Sequence, residues 1–172
     1  MAIPQVYARA KSFSEGLAAV TVWNDSQEAL NVPIVGSGYI DATGKMVIPP
    51  KYSSTEPFSC GLGLVAEGST WIPSMNRSGR EGRVGKLSFI ERTGRVVFEV
   101  AGTDAATPGG PRSTVARVES FREDLAYIEY ADGRKGFLDK TGRLAISLGP
   151  EFLSANGFER GLARVALAPA SP

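Results

Sequence analysis

The 172-residue chain carries 19 basic and 18 acidic side chains, a net charge of +1 and 42% hydrophobic residues. That is enough apolar material for a buried core, with no overall pull toward nucleic acid or an anionic membrane. Zero histidines and the single Cys60 exclude an internal disulfide, the usual zinc, haem and iron–sulfur ligand sets, and the Ser-His-Asp and Cys-His activations of a nucleophile.

The first predicted element is the stretch IPQVYARAKSFSEGLAAV from Ile3, whose last eight residues, Phe13–Val20, return at Phe58–Val65, Phe121–Ile128 and Phe158–Val165. Repetition of this kind is the mark of a tandem array. The copy from Ile48, IPPKYSSTEPFSCGLGLV, lies over the first without a gap at an offset of 45 residues, and the copy from Leu148 keeps the same spacing of proline, aromatic residue and Phe. This phrase A is expected to begin with a loop pinned by Tyr7, Tyr52 and Phe152 and by Phe13, Phe58, Phe121 and Phe158. It then enters an alternating strand such as Leu17–Val22.

A second phrase, B, alternates with the first: GYIDATGKMVI from Gly38, SFIERTGRVVF from Ser88 and GFLDKTGRLAI from Gly136. Its acid-x-Thr-Gly-basic centre predicts a β-hairpin whose glycine is left-handed, at Gly44, Gly94 and Gly142. Asp41, Glu91 and Asp139 are placed to accept backbone hydrogen bonds in these turns, with the shorter Asp the better fit. Helical signals are weak, with at most a short turn before Phe121 or Phe158.

The chain therefore reads A-B-A-B-A-B-A, with repeat units at about 3–47, 48–110 and 111–147 and a half unit at 148–167. The expected fold is all-β: tandem hairpin or meander repeats with about three strands per unit and about ten in all, forming an open curved array or one compact β domain. Together the phrases resemble the bacterial WG repeat, also called KWG, best at Gly38–Val65, where nearly every characteristic position is filled. The name-giving Trp is replaced by Ser37, Leu87 and Lys135. The resemblance implies a β-rich repeat without catalytic residues of its own and with a role in binding.

The phrases themselves read as scaffold. Cys60 stands where other copies have Glu15, Glu123 and Arg160, an ordinary repeat position. The turn acids could serve a carboxylate-dependent hydrolase only if two of them faced each other, and each already has a structural task in its hairpin. The run from Gly79 to Lys86 fails as a phosphate loop, because Arg80 and Leu87 occupy places that need Gly and Ser or Thr.

Function is better sought where units differ. The A-to-B connection is compact at Tyr130–Arg134, around a tight Asp132-Gly133 turn, but lengthens to Trp23–Ser37 in the first unit and Glu67–Gly85 in the second. Trp23 and Trp71 are the only tryptophans, and Met75, Arg77, Arg80 and Arg83 accompany Trp71. Long loops on a rigid scaffold carry binding, and Trp, Met and Arg are enriched at interfaces. These six residues are the candidate partner-binding set. The competing reading folds each Trp back to cap a sheet and leaves the arginines as a solvated loop beside Glu81. A further insertion, Gly102–Pro111, is poor in apolar residues and reads as a surface loop.

The expected function is a non-enzymatic protein-interaction module with no cofactor and no metal. Its partner would be a protein, possible membership of a larger complex included, rather than nucleic acid or membrane. A carbohydrate or cell-wall ligand stacked on exposed aromatic rings is the alternative. The N-terminus, MAIPQVYARAKS, has no secretory apolar core and no apolar run is long enough to span a membrane, so a soluble, cytoplasmic chain is expected.

Overall fold

The computed structural model describes residues 7–22, 36–68, 86–100 and 115–168. Its described elements are all strands, as the repeat pattern requires, and among the described residues no helix precedes Phe121 or Phe158. The first sheet holds β1 (Tyr7–Ala10), β2 (Leu17–Val22), β3 (Gly36–Asp41) and β4 (Met46–Tyr52); the second holds β5 (Ser54–Thr55), β6 (Gly63–Glu67), β7 (Lys86–Ile90) and β8 (Val96–Val100). The third holds β9 (Val115–Val118), β10 (Ala126–Tyr130), β11 (Lys135–Leu138) and β12 (Leu144–Leu148), and a hairpin of β13 (Phe152–Ala155) and β14 (Val165–Leu167) follows. Each is an antiparallel meander in chain order.

A complete unit thus has four strands rather than three, and fourteen strands are described rather than about ten. The extra strand is the start of phrase A, expected as a pinned loop. Tyr7–Ala10 instead pairs with Val20–Val22 across a bulge, and Phe152–Ala155 pairs with Val165–Leu167 in the same way. These edge strands are short and lack alternation, so nothing in their pattern separates them from a loop.

What folds phrase A back on itself is a two-residue turn. Ser14 and Leu17 exchange both backbone hydrogen bonds, at 2.9 and 3.1 Å, and the pairs Ser59–Leu62, Arg122–Leu125 and Glu159–Leu162 repeat the exchange. Both central residues are left-handed: Glu15 and Gly16 have φ of 52° and 83°, and Arg160 and Gly161 have 55° and 76°. That geometry matches the twist of the flanking strands. In the third copy Asp124 takes the glycine place at φ 64°, a conformation that a short polar side chain tolerates.

Phrase B forms the expected hairpins. The Asp41 N–H donates to the Lys45 carbonyl and the Gly44 N–H to the Asp41 carbonyl, with Gly44 at φ 84°, a pattern shared by Glu91–Arg95 and Asp139–Arg143. Asp41 Oδ1 accepts from the Thr43 N–H at 2.9 Å, the Thr43 hydroxyl at 2.6 Å and the Lys45 N–H at 3.1 Å, and Asp139 makes the same three bonds. These bonds, led by the threonine hydroxyl, hold both carboxyls below the usual aspartate range. The longer Glu91 reaches the Thr93 hydroxyl and the Arg95 guanidinium instead, and Arg95 pulls its pKa down to about 2.

The core lies between successive units. Along β2, Leu17 and Ala19 join the cluster facing the second sheet while Ala18 and Val20 belong to another on the opposite face. Along β10, Ala126 and Ile128 face the second sheet and Tyr127 faces the final hairpin. The central strands are therefore buried on both faces, which is why phrase A ends in runs such as LAAV instead of a strict apolar–polar alternation.

One contact recurs at every junction. The phrase B aromatic of each unit meets the phrase A phenylalanine of the next edge to face: Tyr39–Phe58 at 4.9 Å, Phe89–Phe121 at 4.8 Å and Phe137–Phe158 at 4.9 Å. Phe58 and Phe121 are fully buried, whereas Phe13 is 45% exposed. Phenylalanine in phrase A is thus an inter-unit residue, not a pin for its own loop.

Candidate functional site

Antiparallel pairing places the two tight turns of each unit at one end of its sheet and the A-to-B connection at the other. The connection is rooted on the pairs Val22↔Gly36 in the first sheet, Glu67↔Lys86 in the second and Glu129↔Lys135 in the third. The third closes as expected: the Gly133 N–H donates to Tyr130 at 2.9 Å, Gly133 is at φ 86°, and Arg134 lies over the Tyr130 ring and pairs with Asp132. At the root of the second, Lys86 forms an ion pair with Glu99 that raises its pKa.

The residues singled out between these roots, Trp23, Trp71, Met75, Arg77, Arg80 and Arg83, lie outside the described residues, as does Gly102–Pro111. The structure fixes the strand ends that carry both long insertions.

At the opposite end the phrase A turns are laced from unit to unit. The Ser14 hydroxyl donates to the Phe58 carbonyl at 2.6 Å and the Ser59 hydroxyl to the Phe121 carbonyl at 2.6 Å. The Glu15 carboxylate accepts from the Gly61 N–H at 3.0 Å, and Glu123 accepts from the Gly161 N–H at 2.7 Å. A carboxylate on a backbone N–H is a charge-assisted bond. Phrase A's acid therefore belongs to the next unit's turn. Cys60, which occupies that place in the second unit, cannot make the bond; it is a partly buried free thiol next to Ser59.

The ladder changes character in the last two copies, where Arg122 and Glu159 replace the serines. There a groove of about 870 Å³ opens between the third sheet and the final hairpin, and Arg117, Arg122, Arg160 and Arg164 line it with Glu119 and Glu159. It shares Arg122 and Glu159 with a second open recess of about 530 Å³ that runs past Phe121, Pro57 and Ser14 along the row of turns. None of these arginines was a sequence candidate. The signal was present in the copies: FSEGL and FSCGL become FREDL and FERGL, a change of charge at the positions that lace the earlier units together.

The carboxylates of the hairpins are committed to their own turns, as described above. The buried phenols offer no accessible base either. Burial and the nearby Glu56 carboxylate raise the pKa of Tyr39, whose hydroxyl donates to the Glu56 carbonyl at 2.7 Å, and burial pushes Tyr127 up to about 12. Among the described residues no three His, Cys, Asp or Glu side chains are grouped to hold a metal ion, and no helix is long and apolar enough to cross a membrane.

Residues 38–71 match the family model described as WG containing repeat. The match covers the β3–β4 hairpin and the following phrase A through β6. No curated protein matches the chain.

Proposed function

For this WG-repeat chain we propose a non-enzymatic binding module that engages a protein partner through the insertions following β2 and β6. The observation that supports the reading is the placement of the roots. Both insertions, residues 23–35 and 69–85, spring from hydrogen-bonded strand ends at the position where the third unit needs only Ala131–Arg134. The extra residues are thus not required to connect the strands, and they contain both tryptophans. Large aromatic and arginine side chains supply most of the energy at protein interfaces.

The test is quantitative capture of partners from a lysate of the source cells by the wild-type chain and by a Trp71→Ala, Arg80→Ala variant. Loss of a specific partner, by about tenfold or more as expected when two anchor residues are truncated, is the predicted result. Unchanged capture would remove these insertions from the account, and retention of glycans in place of a protein would assign them to carbohydrate binding instead.

A further inference from the structure

We infer that the arginine-lined groove between the third sheet and the final hairpin, beside the phrase A turns and away from the strand ends that root the two insertions, binds an acidic protein segment. Charge is the first argument. The whole chain has one more basic than acidic side chain, yet this groove collects Arg117, Arg122, Arg160 and Arg164 against Glu119 and Glu159.

Only part of that charge is internally satisfied. Arg117 pairs with Glu119 and lies 5.3 Å from the Tyr127 ring centre, and Glu119 also accepts from the Gly157 N–H. Arg122, Arg160 and Arg164 are exposed and form no ion pair among the described residues. The Arg122 stem crosses Gly157 so closely that a Cβ there would come within 2.8 Å of its Cδ. A bare glycine thus lets an arginine of the third unit lie against the fourth.

The residue type is the second argument, because all four cations are guanidiniums. Their planar fork accepts a carboxylate through two parallel hydrogen bonds, and such pairs are strongest where partly desolvated, as in a groove. The third argument separates a peptide from a phosphate polymer. Glu119, Glu159 and Glu123 line the same continuous surface, beside Pro57, Leu162 and Ala163. Interspersed acids repel a uniform run of phosphates, whereas a protein segment can place carboxylates opposite the arginines and neutral or apolar side chains elsewhere.

The experiment measures binding of a fluorescent peptide in which glutamates alternate with leucine and serine, of the same peptide with glutamine for glutamate, and of an oligothymidylate. The protein is the full chain as wild type, Arg160→Glu with Arg164→Glu, and Trp71→Ala with Arg80→Ala. Glutamate is compatible with the left-handed position 160, since Glu15 and Glu123 occupy the equivalent place at φ 52° and 50°, so the charge reversal leaves the turn intact. An Arg164→Glu single variant gives a second reading outside the turn.

The acidic peptide should bind the wild type, weaken with added salt, and lose about tenfold or more in affinity on the double charge reversal. The Trp71, Arg80 variant should bind it unchanged, which keeps this site distinguishable from the insertions. Equal binding of the glutamine peptide, indifference to charge reversal, or tighter binding of the oligothymidylate would each overturn the assignment.

Discussion

Phe121→Ala should destabilise the protein by about 3–5 kcal/mol, the range for removing a buried aromatic ring from a core. Phe121 is fully buried, its ring lies 4.8 Å from Phe89 and 6.4 Å from Phe98, and it belongs to the cluster joining the second and third units. Its backbone carbonyl, which the substitution keeps, accepts the Ser59 hydroxyl, so the predicted loss comes from the ring and not from the inter-unit ladder. With total stabilities of domains this size at about 5–15 kcal/mol, that loss is a large fraction of the whole. Phe13→Ala is the internal control: the same residue of the same phrase is 45% exposed, and its loss should cost no more than about 1 kcal/mol. Urea denaturation of the two variants measures the difference. Similar midpoints would mean that phrase A phenylalanine is not what joins the units.

A second large effect comes from the hairpin glycines. Gly142 has φ of 83°, and a Cβ built on it would lie 2.6 Å from Cδ2 of Phe98 and 2.7 Å from its Cγ; at Gly94 the neighbour is Ile48, the equivalent residue one unit earlier, at 3.4 Å. The second and third phrase B turns therefore pack on the last strand of the preceding unit. Gly16 has the same φ but open space around it. Alanine at Gly16 should cost only the left-handed penalty of about 1–2 kcal/mol. At Gly142 the overlap with a ring adds about 1–3 kcal/mol, because the contact is with the body of the ring and not the tip of a flexible chain. Thermal or urea midpoints for the two alanine variants test this, and equal shifts would contradict the packing of the third turn on Phe98.

Much of this fold was legible because repetition reveals what must be kept. The Asp-x-Thr-Gly turns were readable from chemistry alone, down to the poorer fit of Glu91. What escaped was the short opening strand of each unit, since a stretch like YARA carries no periodic signal and forms only because a turn with two left-handed residues folds it onto its neighbour. Left-handed Glu15 and Cys60 are not residues from which such a turn is expected, and only their adjacent glycines hinted at it. The partner of phrase A's acid was hidden for a different reason: Glu15 acts on Gly61, 46 residues away, and sequence spacing does not say which units touch. The arginine groove lay in the differences between copies of a phrase whose sameness drew attention.

The central proposal is that the repeat units form a scaffold on which the two insertions engage a protein partner. Replacing residues 69–85 by the four-residue turn Ala131–Arg134, then measuring urea denaturation and partner capture on the same preparation, tests both halves together. The shortened chain should unfold cooperatively with stability equal to the wild type or about 1 kcal/mol higher, because closing a shorter loop costs less entropy, and it should lose the captured partner. A shortened chain that fails to fold, or one that folds and still captures the partner, would contradict the claim.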